Sequence, residues 1–203
     1  MKALEAFKGK DVIVLAIPRG GIPVGYEIAR AFHAPLDVIM AKKIGAPFNP
    51  ELAIGAVTWN GAVMLDQLMV DRLQVSREYI GGLAGHLVSD MNRMMGELRQ
   101  GLGNFPKLFG RTVFVVDDGI ATGATMIAAV EAIRDQGAAE VVIVTPVMPA
   151  ELVDSLKLVA PLVYLQAPED FEAVGQYYEE FETMDENQAR EYLLLANESD
   201  LVK

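Results

Sequence analysis

The stretch that decides the fold is Val113-Phe114-Val115-Val116-Asp117-Asp118-Gly119-Ile120-Ala121-Thr122-Gly123-Ala124-Thr125. Its apolar run predicts a buried strand, which ends in two adjacent carboxylates. Small and hydroxylated residues follow, and a helical pattern begins at about Thr125. A strand, a loop and a helix N-terminus in series present unpaired backbone N–H groups that favour an anion. This order predicts a site for a phosphate attached to a polyhydroxylated group.

Strands and helices alternate along the rest of the chain. Short β-branched runs predict strands over residues 12–17, 36–41, 112–116, 140–147 and 162–165. Apolar periodicity predicts helices over residues 22–32, 125–136, 151–159 and 185–196. Because crossover connections of this kind are right-handed and join parallel neighbours, we predict an α/β fold with a mostly parallel central sheet flanked by helices.

One segment, from about residue 44 to residue 108, interrupts this alternation. Asn60-Gly61 between two short apolar runs predicts a β-hairpin, and apolar steps of three and four predict a long helix over residues 76–99. We therefore expect residues 1–203 to form a single domain with an inserted lid- or hood-like segment. The methionine-bearing stripe of the long helix is expected to pack on the core, with a substrate hood or a homodimer contact as the alternatives.

Charge is distributed unevenly along the chain. The net charge is -11, and 13 of the 28 acidic but only 3 of the 17 basic residues lie from Ala150 onward, so residues 167–203 form an acidic C-terminal segment. The lack of a basic stripe argues against nucleic-acid binding. Without cysteine, neither a disulfide nor a thiolate metal site is available. No signal peptide is apparent and residues 12–17 are too short to span a bilayer, so we expect a cytoplasmic protein without a membrane partner.

The loop after Val116 does not match the common nucleotide-binding motifs. It lacks the lysine of a Walker A loop and the G-x-G-x-x-G of a dinucleotide site. A plain Asp-Gly hairpin is disfavoured because a helical pattern follows instead of a strand. Gly119 and Gly123 allow close approach of a ligand, and the hydroxyls of Thr122 and Thr125 can donate to phosphate. The two carboxylates can accept hydrogen bonds from sugar hydroxyls or bind a divalent cation through water.

Two further groups of residues are expected at the same edge of the sheet. Arg19-Gly20-Gly21 follows the first strand, where a freed backbone and a guanidinium suit a diphosphate, although an ordinary turn is the alternative. Lys42 and Lys43 follow the second predicted strand. Because parallel strands end on one edge, we expect these lysines on the same side as Arg19 and Asp117, with a solvated pair as the alternative.

Two motifs resemble a known family, the type I phosphoribosyltransferases. The stretch from Val113 to Thr125 is similar to the family signature, which is an apolar strand, two acids and a loop that closes in Thr-Gly-x-Thr. The run that begins at Lys43, Lys-x-Gly-x-Pro-x-Asn-Pro-Glu-Leu-Ala-x-Gly-Ala, resembles a poorly characterised branch of this family and occupies the position of its mobile catalytic loop. The resemblance extends over about residues 12–181.

The resemblance implies transfer of the 5-phosphoribosyl group of 5-phosphoribosyl 1-diphosphate (PRPP) to an unidentified nucleophile, usually a nitrogenous base, with Mg²⁺ as cofactor. Asp117 and Asp118 would hold the ribose 2- and 3-hydroxyls, contact the metal through water or ribose, and act in catalysis with Lys43. The residues expected to bind the 5-phosphate are Gly119, Ile120, Ala121, Thr122, Gly123, Ala124 and Thr125. Those expected to bind the diphosphate are Arg19, Gly20, Gly21, Lys42 and Lys43, with Lys43 favoured over Lys42. The alternative is a regulator that binds PRPP or a nucleotide without turnover.

Overall fold

The computed structural model of the protein describes residues 2–198. Within them the strands are β1 (Val12–Ala16), β2 (Leu36–Val38), β3 (Ala41–Ala46), β4 (Asn49–Thr58), β5 (Val63–Leu65), β6 (Thr112–Val116), β7 (Glu140–Val147) and β8 (Leu162–Gln166). The α-helices are α1 (Gly21–Phe32), α2 (Gln67–Arg72), α3 (Arg77–Leu98), α4 (Ala124–Arg134), α5 (Val153–Val159) and α6 (Glu186–Ala196). Short 3-10 helices cover Lys2–Phe7, Ala150–Leu152 and Val174–Tyr177.

Five parallel strands form the main sheet, in the order β2-β1-β6-β7-β8. Every residue of β1 and β6 is buried, as expected for central strands covered on both faces. The ring of Phe114 on β6 is fully buried and meets the edges of Phe7 and Phe32, with centroids 5.2 and 5.3 Å away. The predicted α/β fold with a mostly parallel sheet and flanking helices is confirmed.

The predicted hairpin and long helix are present and include a second, smaller sheet. Strands β3, β4 and β5 form an antiparallel sheet, and the turn between β4 and β5 lies at Asn60-Gly61 with Gly61 at a φ of +86°. Helix α3 begins after Ser76, whose hydroxyl accepts the N–H of Tyr79 at 3.1 Å. The sequence did not predict helix α2, although Asp66 caps it by accepting the N–H of Met69.

The strand predicted over residues 36–41 is wrong in its extent. Strand β2 ends at Val38, and β3 begins at Ala41 in the other sheet. The hydrogen bonds change partner between them, since the Ile39 N–H bonds to Ala16 of β1 while the Met40 carbonyl accepts from Trp59. The residues across the boundary, from Val38 to Ala41, are all apolar with no glycine or proline between the strands, so hydrophobic periodicity could not separate them.

Two contacts hold the outer edge of β2. The Asn197 side chain donates to the Leu36 carbonyl at 2.7 Å and accepts the Leu36 N–H at 3.3 Å. Arg99, beyond the end of α3, makes a bidentate ion pair with the buried carboxylate of Asp37 at 2.7 and 3.0 Å. These contacts fasten the inserted helix and the C-terminal helix to the main sheet. No helix within residues 2–198 is long and apolar enough to cross a membrane.

Candidate functional site

The loops that follow β1 and β6 meet at the carboxyl edge of the main sheet. Ala16 and Val116, the last residues of these strands, lie opposite each other in the parallel register. A Cβ atom built on Gly20 would lie 1.8 Å from Oδ2 of Asp118, and one on Gly21 would lie 2.6 Å from the Val116 carbonyl oxygen. Glycine is therefore needed at both positions for this approach. The structure brings Arg19-Gly20-Gly21 and Asp117-Asp118 together.

The two carboxylates occupy a poorly solvated position. Oδ1 of Asp117 accepts the N–H of Asp118 at 2.9 Å. Burial, followed by the negative charge of Asp118, raises the pKa of Asp117 well above its ordinary value. Burial also raises the pKa of Asp118, against hydrogen bonds from Asp117 and from the N–H of Gly119 that lower it. Hydroxyl donors or a cation at this position would relieve the unfavourable charge.

Helix α4 begins with an end that no side chain caps. Its N-cap is Gly123, in the left-handed region at a φ of +80°, and no side-chain hydrogen bond closes this helix end. Thr122 is exposed and Thr125 is half-buried beside the first turn. By contrast, Ile120 is buried and its N–H bonds to the Val147 carbonyl at 3.0 Å. The loop is thus anchored at Ile120, while the N–H groups at the start of α4 are available to an anion.

The structure places Lys42 and Lys43 on the hairpin, not at the end of a strand of the main sheet. The premise that they end a parallel strand is wrong, because both belong to β3 of the antiparallel sheet. Lys43 lies opposite Ala56, which packs against Ala128 of α4, whereas Lys42 pairs with another residue of β4 and points to the other face. Lys43 therefore lies on the side of the hairpin that faces α4. Its Nζ is 2.6 Å from the carboxylate of Glu51, and this bond lowers the pKa of Glu51.

The segment after β8 also contacts the carboxylate loop, a contact that sequence reasoning missed. A Cβ atom on Gly119 would lie 2.5 Å from both methyl carbons of Val174. The hydroxyl of Tyr178 donates to the backbone carbonyl of Asp118 at 2.6 Å. Burial, with the charges of Asp118 and Asp117, raises the pKa of Tyr178 to about 12. No local motif signals this contact, because the two segments are some 60 residues apart in the sequence.

Comparison with known proteins assigns the chain to a family. The family model described as the phosphoribosyl transferase domain matches residues 2–154. The chain belongs to the type I phosphoribosyltransferase family. The crystal structure of TT1426 from Thermus thermophilus is similar, with a TM-score of 0.84 and 35% identity over 96% of this chain and 92% of that chain.

Two curated relatives of this chain come from Mycobacterium tuberculosis. They are MT0597 of strain CDC 1551 and Rv0571c of strain H37Rv, and their names assign them provisionally to the phosphoribosyl transferases. Each is 39% identical over 179 residues, which is 88% of this chain and 40% of the relative. The chain thus spans less than half the length of these relatives.

The donor set of the candidate site would fit a magnesium ion that also binds a phosphate ligand. Within residues 2–198 no group of three or more His, Asp or Glu side chains could enclose a metal. Asp117 and Asp118 offer hard oxygen donors, and each carries a raised pKa that a nearby cation would oppose. Mg²⁺ is commonly held by one or two carboxylates together with phosphate oxygens and water. These two residues suit that arrangement better than a closed protein cage.

Proposed function

We propose that this protein transfers the 5-phosphoribosyl group of PRPP to a nitrogenous base and releases diphosphate. The observation that carries the proposal is the contact between two loops, at which Gly20 leaves room for the Asp118 carboxylate. The loop after β6 has donors and acceptors for a ribose phosphate, and the loop after β1 has a guanidinium for a diphosphate. PRPP carries both groups on one ribose, so two adjacent loops suit its two ends.

Each end of PRPP is matched by different groups of the chain. We infer that Asp117 and Asp118 accept hydrogen bonds from the ribose 2- and 3-hydroxyls. The open N-terminus of α4, with the hydroxyls of Thr122 and Thr125, would bind the 5-phosphate. Arg19 would bind the diphosphate as a planar pair of donors. Lys43 would also bind the diphosphate, in exchange for its ion pair with Glu51, since its side chain lies on the hairpin face toward α4.

The chemistry proposed for these groups is displacement at C1 of the ribose. As the bond from C1 to the diphosphate oxygen breaks, positive charge develops on the sugar ring and negative charge on the leaving group. Arg19 and Lys43 would stabilise the departing diphosphate through fixed positive charge. Mg²⁺ held near Asp117 and Asp118 would offset the negative charge of the phosphates and carboxylates.

The charge around the site supports an acceptor that carries no negative charge. No lysine or arginine occurs between Lys157 and Arg190. Residues 167–181, which contact Asp118 and Gly119, contain the acidic residues Glu169, Asp170, Glu172, Glu179 and Glu180. A base with its own carboxylate would meet like charge from this segment. We therefore propose an uncharged or cationic nitrogenous base as the acceptor.

Calorimetry followed by an activity assay tests the proposal. PRPP is first titrated into the protein with Mg²⁺, and absence of binding would overturn the proposed function. Diphosphate release is then measured with uncharged purine and pyrimidine bases and, for comparison, with carboxylate-bearing bases. Release with an uncharged base supports the transferase, and release only with carboxylate-bearing bases contradicts the proposed acceptor. Tight PRPP binding without release across the whole panel would favour a regulator that binds PRPP without turnover.

A further inference from the structure

A short segment that follows β8, here named the C-terminal strap (residues 167–181), lies against the ribose end of the candidate site. The family model ends at residue 154, so the strap lies outside the part of the chain that it matches. Val174 packs on Gly119 so closely that an added Cβ would lie 2.5 Å from its methyl carbons. Tyr178 reaches the neighbouring peptide with its hydroxyl. The strap therefore contacts the loop from outside the sheet, at two successive residues.

The Tyr178 hydrogen bond acts on one peptide unit. The hydroxyl donates to the Asp118 carbonyl at 2.6 Å, and this carbonyl shares its peptide plane with the N–H of Gly119. The side chain of Asp118 branches from the Cα atom that precedes this peptide. The phenol hydroxyl thus holds the peptide next to the carboxylate that is proposed to face the ribose.

We propose that Tyr178 is a positioning residue for ribose recognition, holding the Asp118–Gly119 peptide so that the Asp118 carboxylate is directed at a ribose hydroxyl. This inference rests on the proposed function, since it assumes a ribose phosphate at the loop. The hydroxyl of Tyr178 is engaged with the backbone, so it acts through Asp118 and does not contact the sugar.

The neighbouring tyrosine provides a matched control. The Tyr177 ring stacks on Phe171 with centroids 5.6 Å apart, and its hydroxyl lies 3.5 Å from the Asp170 carbonyl within the strap itself. The Tyr178 ring packs beside Phe181 at 5.2 Å. Replacement of either tyrosine by phenylalanine keeps the ring and removes one hydroxyl. Only Tyr178→Phe removes a contact between the strap and the loop that follows β6.

The test compares two sugar phosphates that differ by one hydroxyl. Dissociation constants for ribose 5-phosphate and 2-deoxyribose 5-phosphate are measured on wild type, Tyr178→Phe and Tyr177→Phe, with melting temperatures recorded in parallel. We expect wild type to bind ribose 5-phosphate about tenfold or more tightly than 2-deoxyribose 5-phosphate, because the missing hydroxyl removes one hydrogen bond to a carboxylate. Tyr178→Phe should reduce this preference by roughly three- to tenfold. Tyr177→Phe should retain it.

The possible outcomes distinguish a failure of the Tyr178 inference from a failure of the proposed function. A structural role alone would lower the melting temperature of Tyr178→Phe and leave the ratio of the two dissociation constants unchanged, which would overturn the inference and spare the proposed function. The same reduction in Tyr177→Phe would also overturn it, because the effect would then belong to the strap as a whole. If wild type binds neither sugar phosphate nor PRPP, the proposed function fails and this inference fails with it.

Discussion

Gly20→Ala is the substitution that tests most directly whether the two loops share one ligand. The backbone of Gly20 is right-handed helical, with φ -61° and ψ -33°, so alanine introduces no backbone strain. Its Cβ would lie 1.8 Å from Oδ2 and 2.4 Å from Cγ of Asp118. Ordinary contact needs about 3.5 Å, so the carboxylate must move by more than ~1 Å. That shift would break the proposed hydrogen bond from a ribose hydroxyl to the carboxylate, and a hydrogen bond to a charged group contributes about 1.5–3 kcal/mol.

The expected result is PRPP binding weakened by about 10- to 100-fold, measured by calorimetry with Mg²⁺ present. Gly81→Ala is the matched control, because Gly81 lies in helix α3 with no atom within 4 Å of an added Cβ. This control should bind PRPP as wild type does and gain about 1 kcal/mol of helix stability. Wild-type affinity in folded Gly20→Ala would refute the reasoning, since the site would then tolerate a displaced Asp118.

Three further predictions concern charge. Asp117→Asn should raise the free energy of unfolding at about pH 8 but not near pH 4. Because the pKa of Asp117 is raised, the folded protein binds this proton more tightly than the unfolded chain does. The destabilisation caused by the ionised Asp117 carboxylate therefore grows as the pH rises from the unfolded pKa through the folded pKa. Melting temperatures of wild type and Asp117→Asn at both pH values check this prediction. Arg99→Ala should cost about 3–5 kcal/mol in denaturant unfolding, because it leaves the buried Asp37 carboxylate unpaired. Lys43→Met should weaken diphosphate binding in calorimetry about tenfold, and Glu51→Gln should strengthen it by freeing Lys43.

Each of these predictions has a control or a contrary outcome. A stability gain in Asp117→Asn that does not change with pH would show that burial of the charge is not its cause. Arg93→Ala breaks an exposed pair with Glu97 at 3.3 Å and should cost less than about 1 kcal/mol, so an equal loss in Arg99→Ala would contradict the buried-pair argument. Equal diphosphate affinity in wild type and Lys43→Met would remove Lys43 from the proposed site.

The parallel core was predictable because its signals are local. The strands at residues 112–116 and 140–147 match β6 and β7, since each is a β-branched run bounded by polar or small residues. The boundary between β2 and β3 was not predictable, because the residues across it, Val38 to Ala41, are all apolar and include no glycine or proline. The short helix α2 was missed although Asp66 caps it. Six residues give too little periodicity to distinguish a helix from a loop.

The lysines lie where they do for a reason that differs from the one predicted, and the preference for Lys43 as a diphosphate ligand stays a prediction. Lys43 was favoured over Lys42, and the structure places Lys43 on the hairpin face toward α4. The expectation assumed a parallel strand end, whereas the observed cause is the alternation of side chains along β3. Antiparallel pairing with β4 decides which lysine faces α4, and that register is not encoded in the residues next to either lysine.

The sequence by itself determined the family, because the motif that carries it is one continuous stretch, and it predicted two ligand-binding loops from their glycines, hydroxyls and charges. Parallel strands end on one edge, so even the proximity of Arg19 to Asp117 followed from strand order. Only the tertiary structure decided how closely Gly20 approaches Asp118, and that Tyr178 bonds the carbonyl of a residue 60 positions earlier. These contacts depend on how distant segments pack, and packing is set by the whole core together.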